Sequence, residues 1–316
     1  MDGVLATNLA GLQLRNPVIL AAGTCGVLDE MRQVLDLSLV GAVTTKSITR
    51  EPREGNETWR IIDSRCGMLN AIGLANPGLD AFISAWAPRA RAMPCGVIAS
   101  VAGFSIDDYV AVAAHLEEWA EAGIPAVELN VSCPNVKTGT EFGSSPALVR
   151  EVVGAVRAVL KRCRLFVKLG PMTPELPLVA RSAAEAGADA LTICNTIPAM
   201  EIDVETRRPR LANITGGLSG PALHPVAVKL VWDVRRAVGS TPIIGAGGVM
   251  RWHDAAEFIL AGATAVQMGT ALFADPRSPR GVVRGLERWV RRQRAATVGD
   301  LVGAVDLDSR TEVRHR

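Results

Sequence analysis

The sequence is poor in aromatic residues: it has one tyrosine, and Phe, Trp and Tyr together make up 4% of its 316 residues. That argues against a core built on large rings. Ala, Val and Gly dominate instead, which suits close packing of helices on a sheet. The chain also lacks a charge of one sign. A formal net charge of +2 gives no electrostatic reason to expect nucleic acid or an anionic membrane surface as a partner. No window reaches the roughly 18 uninterrupted apolar residues of a membrane span. The six cysteines (25, 66, 95, 133, 163 and 194) form no Cys-x-x-Cys pair, so no iron–sulfur or zinc ligand set is expected. Scattered cysteines read as free thiols of a reducing compartment. The opening Met1–Thr7 has neither the basic nor the apolar stretch of a secretory leader. The expectation is a soluble, cytoplasmic protein without a metal of its own.

Hydrophobic residues make up 48% and charged residues 21%, enough apolar material for one large core. After a short N-terminal hairpin (5–9, then 12–14), eight apolar runs recur: 18–22, 42–46, 97–101, 126–131, 165–169, 190–195, 242–246 and 265–269. Helical patterns lie between most of them, at 106–122, 146–161, 174–186, 221–238 and 252–261. Several begin at Pro or end before Gly, as first-turn and C-cap preferences require. Strands alternating with helices imply a parallel sheet, and eight such units imply an α/β fold of the closed (β/α)8 TIM barrel type. A doubly wound sheet is the alternative, but no Gly-x-Gly-x-x-Gly opens a helix after the first strand. The barrel carries inserted active-site loops. One domain is expected over residues 1–308, with a charged tail at 309–316.

Barrel function gathers at the C-terminal strand ends. In order, these ends are Ala21-Ala22-Gly23, Lys46-Ser47, Ser100, Asn130 with Cys133, Lys168, Asn195-Thr196, Gly247-Gly248 and Gly269-Thr270. Nearly every one offers a polar group or a glycine. The last two suit a phosphate, because loops after strands seven and eight form the usual barrel phosphate site, although any tight turn also favours glycine. A phosphate site with a lysine at strand five fits flavin mononucleotide (FMN), with Lys168 near the N1–O2 edge; a lysine ending a strand in solvent is the plainer reading. Asn70, amid apolar residues and glycines, suits a pocket wall or a loop hydrogen bond.

The stretch Glu128-Leu-Asn-Val-Ser-Cys-Pro-Asn-Val-Lys-Thr-Gly139 is the most informative. A strand ends there in a thiol and two carboxamides, Asn130 and Asn135. Carboxamides carry donors and acceptors that match a ring edge of alternating C=O and N–H, and a thiol beside them can exchange a proton with that ring. A buried structural cysteine near a turn is the alternative.

Four segments, Lys46-Ser47, Met68–Gly78, Asn130–Gly139 and Leu211–Pro221, together with Gly245–Gly248 and Gly269-Thr270, closely resemble the class 1 dihydroorotate dehydrogenases, in order from about residue 5 to 300. The resemblance implies an enzyme with one FMN per chain that oxidises dihydroorotate to orotate in pyrimidine synthesis. Cys133 would be the base that takes the C5 proton while hydride passes from C6 to flavin N5. Lys46, Asn70, Asn130, Asn135, Asn195 and Thr196 would hold the substrate, with backbone help from Ala71, Ile72, Gly73 and Leu74. Ala22, Gly23, Lys46, Ser47, Ser100, Asn130, Lys168, Cys194, Gly220, Gly247, Gly248, Gly269 and Thr270 would contact FMN. Residues 134–145 would form a lid.

The motifs are most similar to type B, whose catalytic subunit pairs with an electron-transfer subunit carrying FAD and a [2Fe–2S] cluster and delivers electrons to NAD+. A homodimer is implied, or a heterotetramer with that partner. The fumarate-linked type A and a flavin reductase of the dihydropyrimidine dehydrogenase type are the alternatives; a non-catalytic flavin-binding scaffold would have lost the base or the carboxamides. Departures from the pattern are Ser100 in place of Asn, Ala22 in place of Ser, and Glu57-Thr-Trp59 in place of a proline-rich stretch, where Trp59 would meet a partner surface. Cys194 is read as a small core residue or as a second thiol beside Asn195.

Overall fold

A computed structural model of the chain describes residues 3–132, 142–173 and 175–307. A hairpin comes first, β1 (Thr7–Leu9) paired antiparallel with β2 (Leu12–Leu14). Eight parallel strands then close into a barrel: β3 (Val18–Leu20), β4 (Ala42–Thr44), β7 (Gly96–Val101), β8 (Ala126–Asn130), β9 (Arg164–Leu169), β10 (Ala190–Ile193), β15 (Ile243–Ala246) and β16 (Ala265–Met268), with β16 pairing back onto β3. The fold is the (β/α)8 barrel that the alternation of strands and helices implies.

Helices α3 (Ile106–Glu117), α4 (Pro146–Val159), α5 (Leu176–Glu185), α6 (His224–Val238) and α7 (Trp252–Ala261) surround the barrel at the expected places. Their starts are written in the sequence. Ser105 accepts from the Asp108 N–H while Asp108 bonds back to Ser105, closing a capping box on α3. Ser145 caps α4 just ahead of Pro146. The buried valines of α4 fall at 149, 152, 153 and 156, the spacing of one helical face. The expected start of α5 at Pro174 lies outside the described residues.

Four helices were not among the expected ones: α1 (Leu79–Ala85), α2 (Ala87–Ala90), α8 (Ala271–Ala274) and α9 (Ser278–Arg292). The last buries Val282, Leu286, Trp289 and Val290; glycine at 285 lets it lie against Trp252. The inserted loops also contain strands. Here β5 (Ile61–Ser64) and β6 (Gly67–Asn70) join β11 (Ile197–Ala199) and β14 (Gly216–Ser219) in an antiparallel sheet. A small hairpin of β12 (Ile202–Asp203) and β13 (Arg208–Pro209) projects beside it. These strands are two to four residues long, and β6 and β14 contain glycine. Their pairing joins Leu69 to Leu218, so no local pattern announces it.

The barrel interior is layered. Leu9 and Leu14 of the hairpin pack against Ile19, Ile98, Phe166 and Ile244 from alternate strands and against Ala42, Ala126, Ala190 and Ala265 from the others. The two rings of four interdigitate large with small, the usual way of filling such a barrel. One step up each of the even strands, the apolar filling stops. Thr44, Glu128, Thr192 and Gln267 occupy the next ring, all of them buried. The active-site floor therefore begins on a polar layer. The expected tail at 309–316 lies outside the described residues.

Candidate active site

The C-terminal strand ends and the antiparallel sheet enclose a cavity of about 190 Å³. On one wall, β8 ends in Asn130, whose backbone carbonyl accepts from the Tyr109 hydroxyl at 2.9 Å. That bond fixes the strand end from the outer helix α3. Asn195, just past β10, donates from Nδ2 to the Ser132 hydroxyl and carbonyl, both at 3.1 Å, and to Asn130 Oδ1 at 3.4 Å. Its own Oδ1 accepts from the Thr196 N–H at 2.8 Å. Asn130 Nδ2 faces Ser47 Oγ at 3.5 Å, and Ser47 shares a 2.8 Å bond with Ser100. Two carboxamides are thus held side by side by bonds at their backs.

Asn70 enters from the opposite side, on β6. Its Nδ2 donates to the Gly217 carbonyl at 3.2 Å, and a side chain at 217 would strike Thr196. The sheet between the two insertions therefore brings Asn70, Thr196 and Asn195 to one cavity. The turn that follows Asn70 runs through positive φ at Gly73 and at Leu74 (59°). The Leu74 conformation is costly for a residue with a Cβ, and Asn56 holds the turn by donating to the Ala71 carbonyl at 2.9 Å.

Lys46, Ile72, Gly73 and Leu74 line the cavity, as do Ala22 and Gly23. The floor is Lys168, only 8% exposed, with its ammonium 3.1 Å from Gln267 Oε1. The far end is glycine. Gly220, Gly247, Gly248 and Gly269 line it together with Thr270, and Thr270 donates to Ser219 Oγ at 2.8 Å. Gly248 has φ 68°; a Cβ there would sit 2.6 Å from the Gly220 carbonyl oxygen. Only glycine lets these two loops meet so closely.

A family-wide sequence profile described as dihydroorotate dehydrogenase matches residues 4–290. The chain belongs to the dihydroorotate dehydrogenase family. It is 46% identical over 307 residues to the protein named dihydroorotate dehydrogenase B (NAD(+)), catalytic subunit, of Trichlorobacter lovleyi, covering 97% of this chain and all of that one. Proteins of the same name from Geobacter sulfurreducens and Bacteroides thetaiotaomicron are 44% and 43% identical over 96% of this chain and 98% and 99% of theirs.

The structure gathers most of the dihydroorotate dehydrogenase-like residues named from the sequence. Ser100 and Ala71 are fully buried behind the cavity wall, the first against Ser47 and the second beneath the turn. Cys133 and Asn135 lie outside the described residues, as does most of the expected lid. Cys194 lines the cavity yet is buried, and desolvation pushes its thiol up to about 12 against the pull of Lys168. That is the behaviour of a core residue, not of a second base. Trp59 is 75% exposed.

Three residues of the site's support gave no signal in the sequence. Gln267 and Glu128 sit in the polar ring and look, in sequence, like ordinary strand residues. His224, at the start of α6, faces the Gly247 carbonyl through Nδ1 at 3.0 Å and Glu257 Oε2 through Nε2 at 3.2 Å, bracing the glycine loop. Only the spatial approach of α6 to that loop reveals it.

Proposed function

We propose that the chain is the catalytic subunit of an FMN-dependent dihydroorotate dehydrogenase that oxidises (S)-dihydroorotate to orotate in pyrimidine biosynthesis. The observation that carries this reading is the convergence of Lys46, Asn70, Asn130 and Asn195 on one cavity above a buried lysine. The substrate is a carboxylate on a ring of alternating amide groups. An ammonium and three fixed carboxamides match that chemistry group for group.

The residues present fit FMN. A flat ring needs an apolar-to-polar slot with a cation at its N1–O2 edge, and Lys168 supplies that cation on the floor. A phosphate needs glycine loops that approach closely, and Gly247, Gly248 and Gly269 supply them. Bound FMN would accept the hydride from C6 of the substrate. Lys46 and the carboxamides of Asn70, Asn130 and Asn195 bind and orient the ring, and Thr196 closes the side next to Gly217. Cys133, three residues past Asn130 at the end of β8, takes the C5 proton. A free thiol titrates at about 8.5, close enough to neutrality to serve as a base. Asn135 completes the set, and residues 134–145 exclude water during transfer.

For electron disposal, we propose a partner subunit carrying FAD and a [2Fe–2S] cluster that passes electrons to NAD+, in a heterotetramer built on a homodimer of this chain, in the cytoplasm. The relatives' names, dihydroorotate dehydrogenase B (NAD(+)), catalytic subunit, support that reading. Among the described residues no helix is long and apolar enough to cross a membrane. The test is a comparison of reductants on the FMN-loaded chain with an artificial dye as acceptor. Dihydroorotate should support turnover and dihydrouracil, which lacks the carboxylate, should not. Preference for dihydrouracil would assign the site to a pyrimidine-base reductase.

A further inference from the structure

Glu128 is a fully buried carboxylate that the proposed chemistry does not use. It belongs to the ring formed by Thr44, Glu128, Thr192 and Gln267, directly beneath the cavity floor. Its Oε2 accepts from Thr192 Oγ1 at 2.7 Å and from Gln267 Nε2 at 2.7 Å. Its Oε1 meets no donor among the described residues. The other end of the same glutamine, Oε1, accepts from Lys168 Nζ at 3.1 Å, and Gln267 Nε2 also faces Thr44 Oγ1 at 3.4 Å.

The orientation of this amide is fixed by the lysine. An ammonium only donates, so Gln267 must turn its oxygen to Lys168, which leaves its nitrogen to donate to Glu128 Oε2. Gln267 lines the cavity and Glu128 does not. In its ionised form Glu128 therefore acts on the floor lysine through one oriented amide, among side chains buried from bulk solvent. An apolar ring, like the one beneath it, would fill the barrel at no desolvation cost. A carboxylate here, with one oxygen that meets no donor among the described residues, points to a task other than packing.

We propose that Glu128, acting through Gln267, is a positioning residue that holds the Lys168 ammonium and offsets its charge, thereby setting the reduction potential of the flavin bound above it. This rests on the reading of Lys168 as the cation at the flavin's N1–O2 edge. The carboxylate draws the ammonium down and cancels part of its field, which keeps the flavin less oxidising than Lys168 alone would make it. A flavin held in this way passes its electrons on more readily to a low-potential acceptor.

The test is the midpoint potential of bound FMN, measured by equilibration with reference dyes under anaerobic conditions, for Glu128→Gln, Gln267→Leu and Lys168→Met. Both Glu128→Gln and Gln267→Leu release Lys168 to the flavin. Each should raise the reduced-to-oxidised ratio at a fixed potential roughly tenfold, about 30 mV for a two-electron couple. Lys168→Met should lower the ratio, and adding Glu128→Gln to it should raise the ratio by less than the same change does with the lysine present, because only the direct field of the carboxylate is then left to remove. If Glu128→Gln keeps FMN at an unchanged potential while Lys168→Met shifts it, the inference is overturned and the lysine assignment stands. An unmoved potential in Lys168→Met overturns the assignment of the lysine and the inference with it. A purely structural role would lower the melting temperature and FMN affinity of the first two variants without moving the ratio. If Glu128→Gln does not fold, Gln267→Leu decides the matter alone, an unchanged ratio counting against the relay.

Discussion

Asn195 Nδ2 lies 3.4 Å from Asn130 Oδ1, so carboxamides from the ends of β8 and β10 are locked to each other across the cavity wall. Ser132 completes the lock by accepting from Asn195 at 3.1 Å. Neither side chain has to search for its conformation when a ring edge arrives, which lowers the cost of binding. Asn195→Ala removes one recognition group, takes its donor from the Ser132 carbonyl and leaves Asn130 Oδ1 only the longer contact from Ser132 Oγ at 3.5 Å. Loss of a hydrogen bond with a partner left unmet costs about 1–3 kcal/mol. The orotate dissociation constant, read from perturbation of the flavin spectrum, should rise by about tenfold to a hundredfold. FMN content should stay that of the wild type.

Replacing Gly248 tests the phosphate end. At φ 68°, with the Gly220 carbonyl oxygen 2.6 Å from where a Cβ would stand, alanine has to push two loops apart. Gly248→Ala should release FMN at least about tenfold more readily in a fluorescence titration, the equivalent of about 1.4 kcal/mol. His224→Phe keeps the ring against Phe258 but loses the bond to the Gly247 carbonyl, and should weaken FMN in the same direction by less.

The cysteines separate by environment. Burial pushes Cys25, Cys163 and Cys194 up to about 12 and Cys95 up to about 11, whereas Cys66 is exposed. A thiol titrating near 12 is ionised to only about one part in ten thousand at pH 8, and the thiolate is the reactive form. Because these pKa values are raised, the protection should persist throughout the neutral range and weaken only as pH climbs towards them. Iodoacetamide at pH 8 followed by peptide mass spectrometry should label Cys66 and leave Cys194 unmodified in the folded chain. Early labelling of Cys194 would mean that it shares the reactive role assigned to Cys133.

Cys133→Ser exchanges the proposed base for a far weaker one of similar size. Flavin reduction by dihydroorotate at neutral pH should slow by about a hundredfold or more, the range of general-base contributions. Orotate should still bind, because the carboxamides and Lys46 are unchanged. Weakened orotate binding with unchanged reduction would remove Cys133 from the role of base.

Much of this architecture is legible in the sequence, for definite physical reasons. The barrel strands are short, continuous apolar runs because both faces are buried, and they stop at glycine or polar residues where the chain emerges. The expected helices announce themselves through prolines at their starts, as at Pro146, and glycines at their ends, as at Gly123, Gly187 and Gly262. The antiparallel sheet over the site is not legible: Leu69 pairs with Leu218, a residue far along the chain, and a strand of three or four residues carries too little periodicity to be seen. The site divides along the same line. Asn70, Asn130 and Asn195 are conspicuous as polar groups in apolar or glycine-rich runs. Glu128 and Gln267 are as polar, yet nothing local says that their side chains point inward to the same ring. His224 opens an ordinary helix and acquires its part only where that helix meets the Gly247 loop.

On the proposed reading, this cavity removes hydride and a proton from dihydroorotate with a flavin above Lys168. Anaerobic mixing of the FMN-loaded chain with dihydroorotate tests it most directly, with the visible flavin absorbance followed in time and orotate measured at the end. Rapid bleaching is expected, with one orotate formed for each flavin reduced. A yellow protein that stays oxidised with dihydroorotate present would contradict it.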